Sequence, residues 1–180
     1  GPWAQPVAPS PASEPGLTTP AVVVAHPAAL MLHLIAGRIA AKLPLRATSA
    51  TLFEPASQHS QLAMDELHQQ TVALLSFQNL PREQYDAQIA FNLLPSLGED
   101  AKINLPATRT RILTHYAALS SAAPGIALQL IQAPVFHGYA ASVLVELETS
   151  TTIEELETAL QGESIDIVTA DSDGPSNISA

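Results

Sequence analysis

The stretch AVVVAHPAALMLHLIAGRIAAKLPLRATSATLFE, from Ala21 to Glu54, decides the fold class. Ala21 to Ala25 is a short β-branched run that His26-Pro27 ends, and it predicts a buried strand. Pro27 suits the first turn of a helix, where its missing N–H has no partner to lose. From Ala28 to Lys42 the residues Leu30, Leu34, Ile35 and Ile39 fall at helical spacing, and Leu43-Pro44 closes the segment. Arg46 to Glu54 is rich in Thr, Ser and Ala around Leu52 and Phe53, which predicts a second strand ended by Pro55. Strand, helix and strand in this order predict a βαβ-like opening.

Downstream, Gln61 to Phe77 places Leu62, Leu67, Leu74 and Leu75 on one broad face, an amphipathic helix. Gln88 to Leu94 is a short apolar strand candidate stopped by Pro95, and Thr108 to Leu119 has the composition of a helix. Ala127 to Val135 and Ser142 to Glu148 predict two strands and a hairpin between them. Thr152 with Glu155 three residues on is a capping box, opening a helix to about Leu160 that Gly162 stops. A last short strand is expected at Ile165 to Val168. The class is α+β, a mixed sheet with helices packed on one face. Residues 1–20 hold six prolines and predict a disordered tail, with the domain over 21–170 and a flexible tail over 171–180.

Hydrophobic residues make up 47% of the chain and aromatics only 4%, so the core must be built from Ala, Leu, Ile and Val. The formal charge of -10 repels phosphate backbones and anionic head groups, which argues against nucleic acid and membrane partners. Beyond Arg111 every charged residue is Glu or Asp. That acidic third is a solvated face or, as an alternative, a surface for a basic protein partner. With no cysteine, disulfides, thiolate metal sites and thiol nucleophiles are excluded, as fits a reducing cytoplasm. The apolar run Ala21 to Ile39 is interrupted by His26, Pro27, His33, Gly37 and Arg38, too polar to span a bilayer. No basic region precedes an apolar stretch at Gly1-Pro2-Trp3, so no signal peptide is expected. The six histidines form no His-x-x-x-His pair, and no metal is expected. No Gly-x-Ser-x-Gly elbow supports serine hydrolysis.

Three phrases, Met64 to Leu75, Gln88 to Pro95 and Ala133 to Gly138, resemble the aspartate-semialdehyde dehydrogenase family in order and spacing, nearest to its Usg-1-like homologues. The resemblance implies the C-terminal dimerisation domain, of the type shared with glyceraldehyde-phosphate dehydrogenase, and a homodimer. It also implies a cysteine nucleophile, an arginine clamp and a histidine acid/base, the roles suited to a thiolate, a guanidinium fork and an imidazole. At the family-equivalent positions this chain has Ala29, Gln132 and Tyr139. An alanine cannot attack, an amide adds no charge, and a phenol is a poor base at neutral pH.

His137 is a displaced base at best. The glycine-rich turn ahead of the long helix is Ser57-Gln58-His59-Ser60 here, without glycine. Glu99 and Lys102 match a Glu-x-x-Lys phrase that contacts substrate and phosphate in the family, and remain candidate anion contacts. No Gly-rich fingerprint for a nicotinamide cofactor precedes Ala21, so no cofactor is expected. The expectation is a non-catalytic homologue that acts in homodimerisation or protein interaction. The alternative is a fragment of a dehydrogenase-like protein whose N-terminal domain binds NAD(P) and which still binds a small acidic metabolite.

Overall fold

The computed structural model describes residues 3–4 and 23–168. The tails expected at 1–20 and 171–180 lie outside the described residues, apart from Trp3–Ala4. The elements in order are β1 (Trp3–Ala4), β2 (Val23–Val24), α1 (Pro27–Lys42), β3 (Leu45–Glu54), a 3-10 turn (Ala56–Gln58) and α2 (Gln61–Leu75). There follow α3 (Leu105–Leu119), β4 (Ala127–Gln132), β5 (Ala140–Leu147) and α4 (Ile153–Leu160). The chain divides into two compact units. One holds the described residues of Gly1–Thr48, Arg111–Ile126 and Leu144–Ser176, the other those of Ser49–Thr110 and Ala127–Val143.

The main sheet has the order β4-β3-β5, with β4 parallel to β3. The start of β3 lies beside the end of β5, where Glu148 N–H donates to the Pro44 carbonyl and Arg46 pairs with Glu146 at 2.8 Å. That is an antiparallel arrangement, so the sheet is mixed and the class is α+β. The expected hairpin between β4 and β5 does not form, because β3 lies between them. Nor does a βαβ unit open the sheet: β2 pairs with β1 in a separate two-stranded ribbon. Two residues give little surface to bury, and Val24 is 75% exposed.

In the first unit, α1 buries Ala28, Ala29, Leu32, Ala36 and Ile39. The buried stripe is thus mostly alanine, while Leu30, Leu34 and Ile35 of the expected stripe are only half-buried. Small residues let neighbouring backbone approach closely. α4 packs against α1, and its Thr152–Glu155 capping box forms as expected. The carbonyls at its far end have no intrahelical donor. Arg38 satisfies those of Leu160 (3.0 Å) and Glu163, and Lys42 that of Thr158 (2.7 Å). Cationic side chains there also oppose the negative end of the helix dipole. Past Gly162 only an isolated bridge to Ile165 forms, and the strand expected at 165–168 is absent.

In the second unit, the alternation of β3 buries Ala50, Leu52 and Glu54. Register sets them beside Leu128, Leu130 and Gln132 of β4, the buried positions of that strand. A one-residue slip would expose all six, so the pattern specifies the pairing. α2 starts at Ser60, whose hydroxyl accepts from Ala63 N–H at 3.2 Å. Its Ala63 and Leu67 join Ala56, Tyr85, Ile89 and Ala90 in the core.

Residues 76–104 hold no helix and no strand beyond an isolated bridge from Leu94 to Gln132, so the strand expected at 88–94 is absent. A structureless segment of this length needs its backbone satisfied by side chains. Two polar residues on the inner face of α2 do that. The Gln70 amide N–H group donates to the carbonyls of Pro81 (2.8 Å) and Ala87 (2.9 Å), and its oxygen accepts from Ile89 (2.8 Å) and Ala90 (3.2 Å). The Glu66 carboxylate accepts from the N–H groups of Gln84 (2.6 Å) and Tyr85 (3.3 Å). These bonds hold the segment in an irregular path that strand pairing cannot reach. Among the described residues no helix is long and apolar enough to cross a membrane.

Candidate functional site

The parallel strands β3 and β4 end on the paired residues Glu54 and Gln132. Side chains paired across a ladder lie on one face of the sheet, and both are fully buried. The carboxyl ends of parallel strands are where open sheets place ligands, because the chain leaves the sheet there and loops can form walls.

Around this point the backbone is tightly tied. Ala133 N–H donates to the Glu54 carbonyl (3.0 Å), Ala56 N–H to that of Val135 (2.9 Å) and Ser57 N–H to that of Phe136 (3.0 Å). The Gln132 amide N–H group donates to the carbonyls of Glu54 and Ala133, both at 3.1 Å. Tyr139, half-buried, donates its phenol O–H to Glu54 Oε1 at 3.3 Å. His59 Nε2 stands 3.4 Å from Glu54 Oε2. The Tyr85 ring meets the His59 ring edge-on, with centroids 6.5 Å apart. Burial, then the charges of Glu66 and Glu54, hold the Tyr85 phenol well above its ordinary value, so it stays protonated.

Two residues singled out in the sequence, Gln132 and Tyr139, are therefore brought together on Glu54, which was not singled out: Gln132 bonds its backbone carbonyl and Tyr139 its carboxylate. Glu54 had a signal: it ends a strict alternation on the buried face, where an acid is costly unless partnered. Ala29 lies in the first turn of α1, fully buried, in the other compact unit. Glu99 and Lys102 are exposed on the segment before α3, and among the described residues no ion pair involves either. His137 is exposed. The turn at Ser57 to Ser60 keeps negative φ throughout, so its lost glycines leave no strain. Among the described residues no group of three His, Asp or Glu side chains could hold a metal ion.

A small mixed sheet with a polar cluster at the ends of its parallel pair defines an α+β domain. The sequence matches the family described as semialdehyde dehydrogenase, dimerisation domain, over residues 39–179, and the chain belongs to that family. It is 24% identical to an aspartate-semialdehyde dehydrogenase of Rickettsia typhi, covering 77% of this chain and 42% of that protein. The structure of a probable aspartate-semialdehyde dehydrogenase from Pseudomonas aeruginosa superposes with a TM-score of 0.73 at 27% identity, over 88% of this chain and 48% of that one. Aspartate semialdehyde dehydrogenase II from Vibrio cholerae shares the fold at a TM-score of 0.65 and 18% identity, over 86% of this chain and 49% of that one. The chain thus spans less than half the length of these relatives.

Proposed function

We propose that this domain is a non-catalytic, homodimeric member of its family, in the manner of the Usg-1-like homologues, and works in the reducing cytoplasm. The observation that carries the reading is the internal commitment of the site. The clamp-equivalent Gln132 uses its N–H donors on backbone carbonyls, and the base-equivalent Tyr139 donates to the buried Glu54. The nucleophile-equivalent Ala29 offers a methyl group.

Self-association is supported by apolar side chains that the fold leaves exposed. Leu62 and Leu75 on α2 are 61% and 71% exposed, and Leu144 on the edge strand β5 is 71% exposed. Phe77 and Phe91 hold left-handed backbone, at φ 53° and 65°, with their rings exposed. Light scattering at micromolar concentration is expected to give a dimer, and phosphate-dependent reduction of NADP with aspartate semialdehyde is expected to be undetectable. Measurable reduction, or a clean monomer, overturns the reading.

A second reading is favoured by length. A chain that spans 42% of the Rickettsia typhi protein fits a piece of a dehydrogenase-like protein whose nucleotide-binding domain binds NAD(P). A Gly-rich strand-turn-helix unit encoded upstream would support it, and Lys102 with Glu99 would then be its anion contact. The Lys102→Ala variant of that longer protein is expected to lose affinity for a small dicarboxylate.

A further inference from the structure

We propose that the shared end of β3 and β4 is a binding site for a primary ammonium group. This rests on the reading that the family-equivalent positions no longer serve dehydrogenation, and it assigns them a ligand of opposite charge to an acidic metabolite.

Among the described residues, the buried polar atoms of this cluster with no hydrogen-bond partner include Glu54 Oε2, Gln132 Oε1 and the Tyr85 hydroxyl oxygen. All three can accept. Gln132 turns its donors to the backbone and keeps its acceptor. Register places that acceptor's side chain beside Glu54 on one face of the sheet. A buried carboxylate calls for a cation or several donors. Tyr139 supplies one donor to Oε1. Among the described residues the one basic side chain paired with Glu54 is His59, whose Nε2, itself without a hydrogen bond, stands 3.4 Å from Oε2, beyond the roughly 2.7–3.2 Å usual for N–H···O. A primary ammonium carries three N–H donors and one charge, which suits a buried carboxylate with unpartnered acceptors on residues of the same cluster. A carboxylate or phosphate would meet Glu54 as a like charge, with no Lys or Arg in the cluster to offset it.

The route to the cluster is the segment Val135 to Tyr139. Val135 to Gly138 are exposed, and Gly138 sits at φ 82°, a conformation open to glycine at little cost. Tyr139 beside it is half-buried and donates its phenol O–H to Glu54 Oε1. Its ring is the gate: breaking that bond uncovers Oε1 and admits a small amine. His59 is the internal competitor for Oε2.

The test is thermal melting of the full chain with methylammonium chloride. Tetramethylammonium chloride, which has the charge without N–H donors, and sodium acetate serve as controls at matched ionic strength. Methylammonium is expected to raise the melting temperature saturably, and the controls are not. Glu54→Gln, close in shape, is expected to weaken the apparent affinity at least about tenfold, a difference of about 1.4 kcal/mol. Tyr139→Phe and His59→Gln, which remove the gate bond and the competitor, are expected to leave it equal or tighter, and they decide the matter if Glu54→Gln does not fold. An equal response to tetramethylammonium overturns the proposal. So does a response to acetate, unchanged affinity in Glu54→Gln, weaker affinity in both other variants, or no saturable shift. No methylammonium response in a chain that is dimeric and inactive sinks this site alone. NADP reduction sinks the functional reading whatever methylammonium does.

Discussion

Helices α1 and α2 are nearly equal in length and both carry leucines at helical spacing, yet they turn opposite kinds of side chain inward. α1 buries three alanines with Leu32 and Ile39, an apolar face against apolar neighbours. α2 buries Glu66 and Gln70 beside Ala63, Leu67 and Ala73, and leaves Leu62 and Leu75 exposed. The difference lies in what each helix must cover. α1 packs against the regular helix α4, whose interior backbone is already hydrogen-bonded and whose last carbonyls need only Arg38 and Lys42. α2 faces the 76–104 segment, whose backbone groups need partners, and the four groups that Gln70 serves, at roughly 1 kcal/mol or more each, outweigh the about 1.5–3 kcal/mol a leucine gains by turning inward.

The sharpest way to break this contrast is Gln70→Leu. In α1 such a residue would suit the buried face; here it leaves the N–H groups of Ile89 and Ala90 and the carbonyls of Pro81 and Ala87 without their partner. At roughly 1 kcal/mol or more for each of four groups, the expected loss is about 4 kcal/mol in urea unfolding. Leu32→Ala probes the other helix. It deletes a side chain that is 1% exposed and bonds nothing, so its loss is cavity and transfer energy alone, about 3 kcal/mol. If Gln70→Leu proves neutral or stabilising, the inner face of α2 is ordinary core and the contrast fails.

The same contrast explains what was legible in the sequence. Spacing, caps and prolines located α1, α2 and α4 and the strands β3, β4 and β5, because those signals are local. The orientation of the helices was not legible. In α1 the buried stripe is alanine, which hydrophobicity barely separates from surface. In α2 it is set by a segment whose path depends on the helix itself. The apolar phrase Gln88 to Leu94 read as strand for the same reason: its amides are taken by Gln70 and not by a neighbouring strand. The hairpin expected between β4 and β5 failed because sequential strands pair often but not always, and β3, seven of whose ten residues are Thr, Ser, Ala or Leu, carries no mark of a central strand. For the site, resemblance singled out Gln132 and Tyr139. Glu54, on which they converge, was readable from the alternation of β3 alone, and His59 lay within a turn noted only for its missing glycines.

The smallest expected effect sharpens the comparison from the side of α1, whose polar groups titrate where those of α2 bond. His33 on α1 lies edge-on to Tyr116 of α3, with ring centroids 6.1 Å apart, and burial lowers its pKa from the ordinary 6.5. His115, whose Nδ1 accepts from His26 N–H at 2.9 Å, is lowered as well, by desolvation first and then by Arg111. Both are neutral in the folded unit. As pH falls through 6.5 the unfolded chain takes up protons that the folded chain does not, so stability is full above that value and declines below it, down to the lowered folded pKa values. Both side chains keep some exposure, and the decline is modest. It is expected as a lower urea midpoint at pH 5.5 than at pH 7.5, with a shallower slope in His33→Gln. A midpoint that holds or rises over this range, or an unchanged slope in the variant, would mean that the histidines of α1 and α3 are solvated in the fold and that the first unit has no titrating seam for α2 to be contrasted with.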